Sequence, residues 1–401
     1  MIYLDYTAHT PADERVLSVY TDTVRACVGN ANASHGAGRS AKAVMDRSLA
    51  SMARMLGVAP EELILTSGAS EANNLAVKGT ARASRHYGKH IISTALEHSS
   101  VSGALTALME QGWEVDLARI REDGTVDPDD VRDLIRDDTV LISVCAVDSE
   151  LGTVQPVREL AAIASDHPRC RLHIDATQAV GKVPLGNVLG AENTPELPDR
   201  KESEREAAGV SALLPGVDLV TIAPHKFYGL LGSGLLIRRK DVILDPLISG
   251  GVSTSLYRSG TPDPGAAAAA EAALRLTLSE YRARSAHVAA LNRKLRAFLS
   301  SHPGVRINSP DSAVPEILNL SVRGIRGDRF QEALDRHGVC VSVKSACSVR
   351  GTPSRAVMAV SHDRKNALSS WRISLSHLTT EAELDVFFNI FDECLSELTL
   401  S

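Results

Sequence analysis

Leu219-Val-Thr-Ile-Ala223, running straight into Pro224-His-Lys-Phe-Tyr-Gly229, is the stretch on which the reading of the fold turns. A short run of almost unbroken apolar and β-branched residues fits a strand covered on both faces. Working outward, Leu63-Ile-Leu-Thr66, His90-Ile-Ile-Ser93, Val140-Leu-Ile-Ser-Val144, Arg171-Leu-His-Ile-Asp175 and Gly234-Leu-Leu-Ile237 read the same way. Helix-length segments separate them, among them Asp129 to Arg136 and Pro156 to Ser165. That alternation predicts an α/β fold, a mostly parallel sheet with helices on both faces. Ligands of such sheets sit at the carboxyl ends of the strands. The polar residues that fall there are Ser67-Gly68, Glu97-His98, Asp148, Asp175 and His225-Lys226.

At ~150 residues per domain, 401 residues allow two or three domains. Hydrophobic residues at 44% and charged ones at 23% exclude a disordered chain. Aromatics at 4% and a net charge of −6 argue against a nucleic-acid surface. Six cysteines without a CxxC pair make a structural zinc site improbable, and no metal is expected. The start Met-Ile-Tyr-Leu-Asp5 lacks the pattern of a signal peptide, and no stretch approaches the ~20 apolar residues of a membrane span. The expectation is a soluble, cytoplasmic protein with free thiols. Residues 187–215, dense in charge, read as an exposed insertion, and the alanine run after Gly265 as the start of a long helix into a smaller C-terminal domain.

Three segments carry chemistry. Lys226, at a strand end, is placed to be partly desolvated, which lowers an amine's pKa and suits it to a Schiff base. Asp175 ends its strand, where a carboxylate either caps the following turn or holds a protonated ring nitrogen. Thr66-Ser-Gly-Ala-Ser-Glu-Ala-Asn-Asn74 runs from a strand into a helix start. Its backbone amides and Ser70 suit a phosphate, although Ser67 or Ser70 equally suits an ordinary helix cap. A lysine, a strand-end carboxylate and a phosphate cradle together are what pyridoxal phosphate needs.

On these and further stretches the chain resembles the NifS/IscS-type cysteine desulfurases, fold-type I pyridoxal-phosphate enzymes. The resemblance covers nearly all residues outside 187–215. It is carried also by Tyr3-Leu-Asp-Tyr-Thr-Ala8, Gly29-Asn-Ala-Asn-Ala-Ser-His35, Glu97-His98, Glu150-Leu-Gly152, Asp175-Ala-Thr-Gln178, Arg258-Ser-Gly-Thr261, Ser345-Ala-Cys347 and Arg372-Ile-Ser374. It implies a large cofactor-binding domain over 14–262, and a smaller α+β domain from 1–13 and 263–401. Lys226 would bond the cofactor and shuttle the substrate's α-proton. Asp175 would pair with the ring nitrogen, Gln178 reach the ring oxygen, and His98 stack on the ring and help move protons. The Ala69 backbone, Ser70 and His225 would hold the phosphate. Thr261 would come from the neighbouring subunit of a homodimer.

The resemblance makes Cys347 the nucleophile that takes sulfur from L-cysteine as a persulfide, for transfer to an acceptor protein, releasing alanine. Lys344-Ser-Ala-Cys-Ser-Val-Arg-Gly-Thr-Pro353 reads independently as an exposed loop whose Lys344 and Arg350 favour a thiolate. Cys340, by contrast, reads as a buried strand residue. Arg372 would bind the substrate carboxylate through its planar fork. Ser149 and Ala223 stand where the family has Asn and Ser, and weakened cofactor retention is the expected result. The alternatives are another reaction on the same scaffold (cysteine or selenocysteine lyase, or aminotransferase) and a non-catalytic relative that only binds partners.

Overall fold

The structure is a computed structural model, and it describes residues 1–189, 213–251, 255–344 and 351–400. Eight strands fall in the first part of the chain. They are β1 (Ile2–Tyr3), β2 (Leu63–Thr66), β3 (His90–Thr94), β4 (Glu114–Ala118), β5 (Thr139–Cys145), β6 (Arg171–Asp175), β7 (Leu219–Ile222) and β8 (Gly234–Arg238). Strands β2 to β8 form one sheet in the order β2-β8-β7-β6-β5-β3-β4. Strand β8 runs antiparallel to both neighbours, and the other pairs are parallel.

The expected apolar runs all form strands, and every residue of β3, β5, β7 and β8 is buried. Strand β4 was not among the sequence expectations. It lies at the sheet edge, and its Glu114-Val-Asp-Leu-Ala118 is mostly exposed or half-buried, so it lacks the apolar signature of its neighbours. The expected crossover helices appear at Pro128–Leu134 and Val157–Ser165.

Register places the site. Cys145 pairs with Asp175, and Asp175 with Thr221, so the carboxyl ends of β5, β6 and β7 finish on one level. The turn carrying Lys226 starts two residues beyond the end of β7.

The alanine-rich helix spans Pro264–Ser300, opened by Pro264 in its first turn and by Asp263, whose Oδ1 accepts from the Gly265 and Ala266 amides. Its first half packs Ala269, Ala270, Ala272 and Ala273 into the core of the large sheet. Its second half puts Val288, Leu291, Leu295 and Leu299 into a second core with Phe330, Trp371, Phe387 and Phe391. The remaining strands are β9 (Val305–Ile307), β10 (Ile317–Val322), β11 (Val339–Cys340) and β12 (Ser370–Ser374). An antiparallel sheet orders them β12-β10-β9, and β1 pairs in parallel with β11. Leu4 joins the second core, so the amino terminus is stitched into the C-terminal region. Cys340 does lie in a strand, but it is half-buried and not enclosed as expected, because the two-residue β11 pairs only with β1. Most of 187–215 lies outside the described residues.

Candidate active site

A cavity of about 390 Å³ opens at the carboxyl ends of β5, β6 and β7, within the usual range for small-ligand sites. Thr7, Ala8, Gly68, Ala69, Ser70, His98, Ser149, Asp175, Gln178, His225, Lys226 and Arg372 line it. The structure thus gathers eight of the ten sequence-chosen site residues around one cavity.

Lys226 ends a short 3-10 turn, Pro224–Lys226. Its Nζ donates to the carbonyls of Thr7 at 2.9 Å and Ala8 at 2.6 Å. Burial, with the cations of Lys182 and Arg372 behind it, lowers its pKa to about 8. Tyr228, two residues on, adopts a left-handed φ of 68°. Its amide donates to Thr10 Oγ1 at 2.8 Å and its hydroxyl meets Ser376 Oγ at 2.6 Å. Those bonds hold a conformation that costs on the order of 1–3 kcal/mol in a residue with a side chain.

Asp175 is buried, and its oxygens are assigned. Oδ1 accepts from the Thr177 amide at 3.0 Å and Oδ2 from Asn73 Nδ2 at 2.7 Å. Asn73 Nδ2 also donates to Ser100 Oγ at 2.9 Å, and Ser100 Oγ lies 2.8 Å from His98 Nδ1. His98 caps the helix Ser99–Met109 by accepting from the Ser100 amide at 3.2 Å, so Nδ1 is an acceptor and Nε2 carries the proton. Burial lowers the His98 pKa, which keeps the ring neutral. The helix-cap role and the cavity role therefore coexist in one histidine.

Gly68, not a serine, caps the helix that begins at Ala69, with φ 151° and no side-chain cap bond. A Cβ built on Gly68 meets nothing within 4 Å, so that face is open. One built on Gly234 would lie 2.5 Å from the Gly68 carbonyl carbon, so only glycine lets β8 pass this turn. The Ala69 and Ser70 amides start the helix without intrahelical acceptors. His225 stands beside them in the cavity wall, and burial and the Lys226 cation depress its pKa to about 4.

Gln178 Nε2 donates to Thr7 O at 3.0 Å, and its Oε1 accepts from Lys182 Nζ at 3.0 Å. Arg372 is 2% exposed, donates from Nη1 to Ser149 O at 2.7 Å and from Nη2 to Asp5 Oδ1 at 2.8 Å, and leaves Nε buried without a partner. Two buried carboxyls flank the strand ends. Burial pushes Glu97 up to about 8 and Asp148 up to about 7.

Two expected residues stand apart. Thr261 lines a separate cavity of about 190 Å³ with Thr66, Ser67 and Arg258. Cys347 and Arg350 lie outside the described residues. The ends of their segment are described. Lys344 Nζ donates to Thr352 O and Oγ1, at 2.8 Å each. Lys344, Thr352 and Pro353 share a cavity wall with His98 and Ser149. Ser149 lines the main cavity and offers its carbonyl to Arg372. Ala223 is fully buried, and its carbonyl accepts from the Lys226 amide.

Sequence reasoning did not single out Asp5, Thr7, Ala8, Asn73, Ser100 or Lys182. The first four sit inside stretches quoted above, so family position was the available signal. For Ser100 and Lys182 only proximity to His98 and Gln178 in the chain pointed to the site.

Residues 2–187 and 210–387 match the family described as Aminotransferase class-V. The chain is 33% identical over 396 residues to a "NifS/IcsS protein homolog" of Lactobacillus delbrueckii subsp. bulgaricus, covering 98% of this chain and 97% of that protein. It is 32% identical over 403 residues to "Cysteine desulfurase IscS" of Dictyoglomus turgidum, covering 99% and 95%. A solved structure titled "NIFS-LIKE PROTEIN" superposes with a TM-score of 0.86 at 30% identity, over 99% of this chain and 100% of that one.

Proposed function

The chain belongs to the class-V aminotransferases and, within them, is a pyridoxal-phosphate-dependent cysteine desulfurase of the NifS/IscS kind, and from that premise we propose how its own residues divide the work. The residues present fit the cofactor. A buried carboxylate with both oxygens fixed, an amine lowered to about 8, open helix-start amides and a neutral imidazole face one cavity. When bound, pyridoxal phosphate supplies an electron sink that exposes the substrate's sulfur to a thiolate.

Asp175 would hold the ring nitrogen protonated; Asn73 and the Thr177 amide keep that carboxylate in place. Gln178 would reach the ring oxygen and His98 would cover the ring face, since both line the cavity. The Ala69 amide, Ser70 and His225 would take the phosphate. Lys226 would hold the cofactor through its amine and would carry the proton at the substrate α-carbon, roles that suit an amine lowered to about 8. Arg372 takes the α-carboxylate, for which Nη1 and Nη2 each keep a second N–H beyond their bonds to Ser149 O and Asp5 Oδ1. Cys347 accepts the sulfur as a persulfide and passes it to an acceptor protein.

The reading includes a homodimer in which Thr261 completes the partner's site, supported by Thr261 lining an adjoining cavity and not the one that Lys226 lines. It divides the chain into a large lobe over 14–262 and a small one from 1–13 and 263–401, supported by the two cores that the long helix bridges. It places the enzyme in the cytoplasm, supported by the five described cysteines, all unpaired. No helix among the described residues is long and apolar enough to cross a membrane.

The observation that carries the reading is the convergence of Lys226, Asp175 and Arg372 on one cavity. The test is mass spectrometry after brief exposure to L-cysteine. The Cys347 peptide gains the mass of sulfur, and Cys347→Ser abolishes that gain while keeping the cofactor's colour. Sulfide release from Cys347→Ser at the parent rate would refute the nucleophile.

A further inference from the structure

We propose that Lys182 is a positioning residue for this reaction: it pins the oxygen of the Gln178 amide, so presenting the NH2 end to the site, and it brings a second amine, cationic when protonated, up behind Lys226. The inference rests on the reading above for what Gln178 and Lys226 do.

An amide side chain has two ends of nearly the same shape, and only its neighbours decide which end points where. Lys182 has donors only, and the Thr7 carbonyl is an acceptor only. Gln178 lies between them, with Oε1 3.0 Å from Lys182 Nζ and Nε2 3.0 Å from Thr7 O. The flipped amide would face donor with donor and acceptor with acceptor, so one orientation survives. In that orientation Nε2 keeps a second N–H, free of Thr7, for an acceptor in the cavity that Gln178 lines.

The same Thr7 carbonyl accepts from Lys226 Nζ, so Lys182, Gln178, Thr7 and Lys226 form one hydrogen-bonded chain. The charges facing Lys226 are Lys182 and Arg372, which disfavour its protonation, and Asp5 and Asp175, which favour it; the imidazoles of His9, His98 and His225, all with lowered pKa, face it too. After burial, Lys182 is the largest of these influences. Burial lowers the Lys182 pKa to about 8; the carboxyl of Glu316 favours its charge and Arg372 opposes it. Glu316 immediately precedes β10, so the balancing group comes from the C-terminal region. Backbone geometry holds the lysine in place. Gly181 has a φ of 80°, and a Cβ there would lie 2.6 Å from Thr277 Cγ2.

The experiment uses two readouts on Lys182→Met, Lys182→Gln and Lys182→Arg. The first is the pH midpoint of Lys226 acetylation by trace acetic anhydride in the cofactor-free protein, read by peptide mass spectrometry. Loss of the cation in the Met and Gln variants should raise that midpoint by about one pH unit, and Arg should restore it. The second is the dissociation constant for pyridoxal phosphate. Lys182→Met, which leaves the amide unpinned, should weaken binding about tenfold, whereas Gln and Arg keep a donor and stay near the parent value. If Lys182→Met does not fold, Lys182→Ala takes its place. An unmoved acetylation midpoint overturns the charge role, and equal affinity in the Met variant overturns the pinning. Failure of the parent protein to bind the cofactor at all would instead refute the functional reading, while the acetylation midpoints would still decide the charge role.

Discussion

Asp5 Oδ1 and Arg372 Nη2 stand 2.8 Å apart, although 367 positions separate them in the chain. The ion pair joins the amino-terminal segment to the edge strand of the C-terminal sheet, and it aims a buried guanidinium at the cavity. Asp5 also accepts from Ser342 Oγ at 2.7 Å, so its carboxylate is fixed from a second direction. Nη1 gives one N–H to the Ser149 carbonyl and Nη2 one to Asp5, so each keeps a second for a carboxylate ligand.

Arg372→Lys should therefore raise KM for L-cysteine about 10- to 100-fold, since a point charge replaces a fork whose charged hydrogen bonds are each worth ~1.5–3 kcal/mol. Asp5→Ala should raise KM by about tenfold, because the guanidinium remains but is no longer aimed. Steady-state kinetics checks both, and an unchanged KM in Arg372→Lys would remove its assignment.

Cofactor retention should depend on the group behind Asp175. Asn73→Ala removes the donor 2.7 Å from Oδ2 and the link to Ser100. It should speed cofactor loss on dialysis about tenfold, followed by the fading of visible absorbance. Asp175→Asn should cost far more in activity than Asn73→Ala, because an amide cannot hold a ring nitrogen protonated.

Glu97 makes a prediction about pH and stability. Its folded-state pKa is raised from 4.5 to about 8, chiefly by burial. Between those values the folded state binds the proton and the unfolded state does not. Its contribution is thus fully present below about 4.5 and is lost as pH rises towards about 8. Glu97→Gln, which cannot ionise, should flatten the fall in denaturant midpoint across that window. The difference at the alkaline end is on the order of a few kcal/mol. Parallel pH profiles for the two proteins would contradict it.

Gly181→Ala should destabilise the fold by roughly 1–3 kcal/mol, because it forces a left-handed backbone on a residue with a side chain and crowds Thr277. A thermal melt beside one of Gly103→Ala checks this. Gly103 lies inside the helix Ser99–Met109, and a Cβ there meets nothing within 4 Å.

Most strands of the large sheet were legible because they are buried, and burial writes itself as an apolar run. Strand β4 was not, since an edge strand with polar residues has no such run. The reversal of β8 was equally hidden, because direction leaves no mark on composition. The chemistry-bearing residues were legible where they stood at strand ends, as Asp175 and Lys226 do. The groups that tune them were not. Asn73, Thr7, Asp5 and Lys182 act through contacts that the chain's order does not announce.

The amino-acid order by itself determined an α/β sheet, the lysine and carboxylate at its strand ends, and the alanine-rich helix, because apolar periodicity and helix propensity are local properties. Only the tertiary structure decided that the Thr7 and Ala8 carbonyls receive Lys226, that Lys182 pins Gln178, and that Asp5 aims Arg372. Those bonds arise where separate elements are packed together, and their strength depends on a burial that no single segment possesses.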